Sequence, residues 1–144
     1  MNRIAPTFLV TVQLLCLAFL VATGPTIVRS RWLWLELLGL AWGIWAVVVM
    51  PRRQWRIFPD VPQGARLVQC GPYRWVRHPM YTAVLVVTGT WVLDHPTLLR
   101  GCVWMLLAVV LHAKLKHEET LLQATFPEYA AYARRTKRLI PGVY

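Results

Sequence analysis

Apolar residues fill four stretches of this 144-residue chain, roughly 5–28, 32–50, 80–93 and 98–113, and polar residues gather in the connections between them. The first two stretches approach the ~20 residues with which a helix crosses ~30 Å of hydrocarbon. The last two are shorter and reach that length by extending to Trp75 and Val76 at one end and Leu115 at the other, or through local thinning of the bilayer. The pattern predicts an all-α integral membrane bundle of about four transmembrane helices, with spans near 5–28, 32–50, 77–93 and 98–115, in a single domain 1–144. Gly24-Pro25 and Asp94-His95-Pro96 mark turns between spans. Residues 112–125 lack Gly and Pro, so the fourth helix is expected to continue out of the membrane until Pro127 interrupts it. Pro127 then fits the first position of a short C-terminal interfacial helix reaching Arg135, with Tyr129, Tyr132, Arg134, Arg135, Lys137 and Arg138 on the membrane surface. Segment 51–71 mixes basic and aromatic residues and reads as an interfacial connection, with Trp55 and Phe58 dipping inward while Arg52, Arg53 and Arg56 stay wet.

Composition agrees with a lipid solvent: 57% of residues are hydrophobic, mean hydropathy is +0.45, and 16 Lys and Arg face only 6 acids. Only Arg29, Arg31 and Arg100 fall on one side of the predicted membrane; the other thirteen basic residues fall on the opposite side. The bias of Lys and Arg toward cytoplasmic loops therefore places both termini and the central loop in the cytoplasm, in a multi-pass arrangement. The net charge of +10 follows from topology and from attraction to anionic headgroups. Nucleic acid is not an expected partner, because the charges are spread over separate loops at membrane level. A cleaved leader competes for the first stretch, but the stretch is longer than the 7–15 apolar residues of a signal core. Cys16, Cys70 and Cys102 form no disulfide or metal pattern.

The densest polar motif is GPYRWVRHPMY, residues 71–81, at the mouth of the third span. Proline at 79 suits the start of a helix, because its missing N–H would be unpaired there anyway. Arg77, His78 and the positive end of the helix dipole then make a receptor for a carboxylate or phosphate; ordinary snorkelling to lipid phosphates is the alternative. Glu118 and Glu119 are placed where the fourth helix leaves the membrane. If the third and fourth spans form a hairpin, Glu118 lies only ~7 Å along the axis from the level of His78. Both acids flank the stripe formed by Leu111, Leu115 and Leu122, or else simply pair with Lys114. His112 sits level with the motif. Glu36, near the opposite surface, is expected to snorkel outward with no further role. HAKLKHEE lacks the HExxH spacing of zinc proteases, so no metal is expected.

GPYRWVRHPMY, a helical hairpin, HEETLL with its EExxL pattern, and Phe126, Tyr129 and Tyr132 in an FxxYxxY segment together resemble the membrane methyltransferases that include isoprenylcysteine carboxyl methyltransferase and the phospholipid N-methyltransferases. The resemblance covers about residues 65–141. It implies an S-adenosylmethionine-dependent enzyme whose cofactor binds on the cytoplasmic side. Arg77, His78 and Tyr81 would hold the cofactor's carboxylate side and Glu118 or Glu119 its ammonium, while Gly71 and Tyr73 shape the pocket. The acceptor would be lipophilic and drawn from the bilayer: a prenylcysteine-like carboxylate, a phospholipid amine or a hydrophobic thiol. A carboxylate needs no base; for the other two, Glu119 and His112 are the candidates for removing a proton. Two rivals stand beside this reading: an NADPH-dependent membrane reductase of the sterol reductase type, and a non-enzymatic bundle that binds lipid or a partner. The acidic pair argues against the first, because carboxylates would repel a multiply charged phosphate.

Overall fold

The computed structural model describes residues 4–24, 27–28, 31–52, 64 and 66–144. The expectations for Arg3, Pro25, Arg29, Arg53, Trp55, Arg56 and Phe58 lie outside the described residues. Regular structure among the described residues is helical: α1 (Ile4–Ala22), α2 (Leu33–Val49), a 3-10 turn (Gly71–Arg74), α3 (Pro79–Asp94), α4 (Leu98–Thr125) and α5 (Tyr129–Arg135). An isolated parallel bridge pairs Val76 with Lys137.

Each boundary has a local cause. α1 stops at Ala22, earlier than the apolar run, where Gly24 follows two residues on and the Arg100 guanidinium fills the space where a side chain at 24 would sit. α3 begins at Pro79 with His78 as its N-cap, as the proline predicts, so Arg77 and His78 precede the helix and the expected 77–93 bound moves in by two residues. Thr97 caps α4, its hydroxyl accepting from the Arg100 N–H at 3.2 Å. α4 continues past its apolar part, which ends near Leu115, into a polar extension that stops at Thr125. The expected role of Pro127 is corrected: α5 starts at Tyr129. Pro127 occupies the second position of a turn closed by Tyr129 N–H to Phe126 C=O at 3.0 Å, a place that suits its fixed φ equally well.

α4 is long and apolar enough to cross a membrane, while α1 and α2 are shorter apolar helices. α3 packs against α2, α4 and α1, and α4 packs along α1. The α2–α3 contact is close because α2 presents glycines one turn apart. A Cβ on Gly39 would lie 2.9 Å from Val86 Cγ1, and one on Gly43 would lie 2.9 Å from Ala83 Cβ. Cys16 and Leu20 of α1 meet Leu107 and Leu111 of α4 in the core. Phe8 and Leu15 on α1, Ile44 and Val48 on α2, and Met105 and Val109 on α4 instead face outward. Apolar faces of this kind on three helices suit lipid far better than water.

Glu36 does not snorkel. It is 3% exposed, accepting from Val28 N–H and from Trp91 Nε1, each at 2.9 Å. The Trp91 carbonyl in turn accepts from Arg100 Nη2 at 2.9 Å, and Arg100 Nη1 donates to Thr23 Oγ1 at 3.0 Å. A buried polar chain thus ties together the ends of α1, α2, α3 and α4 farthest from the 71–81 motif, in keeping with the rule that buried polar groups are paired.

Candidate functional site

Gly71 adopts φ +58°, and a Cβ there would come within 2.8 Å of Val49 Cγ2, so only glycine lets the motif turn against the end of α2. The 3-10 turn that follows buries Tyr73 and delivers Trp75 against Trp42 and Trp45, with ring centroids 6.1 and 5.7 Å away. The chain after α5 then runs alongside: Lys137 N–H donates to the Trp75 carbonyl at 2.9 Å, and Arg77 N–H donates to the Lys137 carbonyl at 2.7 Å. Arg77 and His78 are fixed in backbone before their side chains engage anything.

Their side chains meet the acidic pair of α4. Arg77 Nε donates to Glu119 Oε1 at 2.7 Å, and its Nη1 donates to the carbonyls of Ala133 and Thr136 at 2.9 and 2.6 Å. His78 is 7% exposed, its Nδ1 3.5 Å from Glu118 Oε2 and its Nε2 3.5 Å from Glu119 Oε1. The Tyr81 ring stacks on His78 with centroids 5.6 Å apart, and its hydroxyl donates to Glu118. Arg138 Nε completes the clamp, donating to Glu119 Oε2 at 2.9 Å. One cluster therefore contains Arg77, His78, Tyr81, Glu118 and Glu119, residues from both ends of the helical hairpin.

Electrostatics follow from this packing. Burial pushes the Glu119 carboxyl up, but hydrogen bonds from His78 and Arg77, the Arg77 charge and Arg138 outweigh it and hold the group down at about 2. Burial pushes His78 down, and its hydrogen bonds and attraction to Glu118 and Glu119 more than reverse that, leaving it raised. Burial also raises Tyr132, to about 12, against the pull of Arg77 and Arg135. Tyr73 is raised by burial, with Tyr132 and Glu118 adding to the effect. The cluster holds formal charges of both signs in a dry setting, where each counts for more than in water.

Three expectations need amending. Glu119, ionised and shared by two arginines, is a poor proton acceptor. His112 stacks on the Tyr144 ring at 5.8 Å instead of joining the acids. Tyr129 and Tyr132 face inward, at 3% exposure each, with the Tyr132 hydroxyl donating to the Tyr73 carbonyl at 2.8 Å, while Arg134 and Arg135 remain exposed. The sequence reading also missed Arg138, which it grouped with surface charge. No local pattern marks it, because spacing within one segment does not say where the chain returns after α5.

The profile of the isoprenylcysteine carboxyl methyltransferase family matches residues 31–124. The chain is 30% identical over 118 residues to the cobalt-zinc-cadmium resistance protein CzcN of Cupriavidus metallidurans, covering 78% of this chain and 55% of that protein. It is 32% identical over 80 residues to the nickel-cobalt-cadmium resistance protein NccN of Alcaligenes xylosoxydans xylosoxydans, covering 55% of this chain and 38% of that protein. The chain thus spans about half or less of the length of these curated relatives. No solved structure matches it.

Proposed function

Because the chain belongs to the isoprenylcysteine carboxyl methyltransferase family, we propose that it is a membrane methyltransferase that holds S-adenosylmethionine in the Arg77–His78–Tyr81–Glu118–Glu119 cluster and methylates a lipophilic acceptor. The observation that carries this reading is the direct contact between the basic mouth of α3 and the two glutamates of α4. The cofactor's amino-acid end bears a carboxylate and an ammonium, and the cluster offers guanidinium and carboxylate walls to match. Arg77 and Glu119 are already buried and paired, so accepting a zwitterion exchanges one ion pair for two, and each charge the ligand buries meets a pre-placed opposite partner. The buried His78 Nε2, held 3.5 Å from Glu119 Oε1 without a close hydrogen bond, supplies a polar group for the same ligand.

When bound, the cofactor would supply an electrophilic methyl on a sulfonium. The chain's own contribution is orientation and the exclusion of water: Arg77 and Glu119 fix opposite ends of a zwitterion, Tyr81 and His78 wall the space between, and the outward apolar faces of α1, α2 and α4 admit a lipophilic partner. A carboxylate acceptor is ready to react as it stands, whereas an amine or thiol must shed a proton that Glu119 is ill suited to take. The glutamates also disfavour the NADPH reading, since they sit where a pyrophosphate would meet negative charge. The metal-resistance names of the two relatives describe those proteins; among the described residues no three His, Cys, Asp or Glu side chains gather to hold an ion.

In this reading α1 to α4 all cross the bilayer, with both termini and the site on the cytoplasmic face. The direct test of function is incubation of purified protein with methyl-labelled S-adenosylmethionine and a whole lipid extract. Label in an extractable lipophile supports the proposal, and no transfer to any fraction contradicts it.

A further inference from the structure

Lys114 is 3% exposed, at the inner end of the apolar part of α4 and one turn before Glu118. Its ammonium has three N–H groups. Among the described residues it meets one acceptor, Gln13 Oε1 of α1 at 3.1 Å, and the face of the Tyr81 ring, 5.3 Å from Nζ to centroid. No described carboxylate lies within salt-bridge distance of it. A cation kept this deep with a single amide oxygen and a ring is expensive, and an ionisable side chain at such a depth in a membrane helix marks a place where something binds. Gln13 is equally out of place, an amide on an otherwise apolar stretch of α1, and its side chain carries N–H donors as well as the oxygen now turned to Lys114.

These two residues continue the site already described. Tyr81 links them to it, one face toward Lys114 and its hydroxyl on Glu118. Four residues of α4 separate Lys114 from Glu118, about 6 Å along the axis. The polar line therefore runs from the cofactor cluster inward between α1, α3 and α4, and changes there from acidic to basic.

We propose that Lys114 and Gln13 form an anion-recognition subsite within the bundle, one that grips the negatively charged headgroup of the lipophilic acceptor and turns away amines. The inference rests on the methyltransferase reading for the identity of its ligand, and it gives α1 a part in choosing the substrate. The Lys114 ammonium and a Gln13 amide N–H reach one anionic headgroup together; a cationic amine in the same place would meet the buried Lys114 charge head-on. Carboxylate and phosphate headgroups share this chemistry.

The test measures equilibrium binding of labelled oleate and of oleylamine to the full chain in phosphatidylcholine nanodiscs, without S-adenosylmethionine. Wild type is expected to bind oleate saturably and oleylamine not at all. Lys114→Met should weaken oleate by about tenfold or more, the scale of one charge-assisted hydrogen bond. Gln13→Glu provides the control for folding: it places a carboxylate beside the ammonium, satisfies Lys114 internally, and should also abolish oleate binding. Displacement of oleate by phosphatidylglycerol assigns the site to phosphate headgroups, and failure to displace assigns it to carboxylates; both support an anion subsite. No saturable oleate binding, equal binding by wild type and both variants, or oleylamine bound as well as oleate would overturn it. S-adenosylmethionine titrated into the same samples separates the two claims, since a wild type that takes oleate but not the cofactor sinks the methyltransferase reading and leaves the subsite standing.

Discussion

Glu119 is the residue on which the cluster converges, and its chemistry sets two expectations. Its native carboxyl, at about 2, lies below the ordinary 4.5, so the stability it contributes is present above pH 4.5 and is lost as pH falls toward 2. His78 has the opposite sign: its raised native value gives stability that is full below its ordinary 6.5 and disappears as pH climbs through that raised value. Thermal unfolding in detergent should therefore show a plateau between these limits, and Glu119→Gln should remove the acidic decline specific to this group. An acid limb unchanged in that variant would mean that Glu119 is not the group being titrated. The same substitution should raise the S-adenosylmethionine dissociation constant by roughly 10- to 100-fold, the worth of a charge-assisted hydrogen bond, as read by calorimetry. That the acids would find Arg77 and His78 was legible in the sequence, because spacing along a hairpin fixes depth. That Glu119 would be shared with Arg138 was not, since nothing in local periodicity says where the chain returns after α5.

At the scale of elements, apolar run lengths located α2, α3 and α4 to within a few residues, because partition into an apolar medium is a property of a segment by itself. Glu36 shows the limit of such reasoning. As an acid near the end of an apolar helix it reads as a snorkeller, yet its partner Trp91 is 55 residues away and appears only when α2 and α3 pack. Glu36→Ala should lower stability by ~2–4 kcal/mol by stranding the Val28 and Trp91 donors, whereas Glu36→Gln, which keeps one acceptor, should lose less. Both are measurable as the fraction remaining monodisperse after heating. Gly39→Leu should be as damaging, since α2 and α3 have no room for a side chain there. Neither glycine stands out in the sequence, because a small residue announces itself only against the surface it meets.

For the whole molecule, the hairpin of α3 and α4 and the chain after α5 meet at one end of the bundle, and the proposed topology puts that end in the cytoplasm. With Cys16 and the exposed Cys102 replaced by serine, Cys70, exposed beside the motif, should react with a membrane-impermeant maleimide in inside-out vesicles and resist it in intact cells; labelling of that variant in intact cells would invert the proposed topology. The central claim is that this face binds S-adenosylmethionine through opposed charges, and equilibrium binding of radiolabelled S-adenosylmethionine to the purified chain tests it most directly. The account predicts saturable binding by wild type, loss of at least ~100-fold in affinity when Glu118→Gln and Glu119→Gln are combined, and no competition by NADPH. Equal affinity in the double variant, or displacement of the cofactor by NADPH, would contradict it.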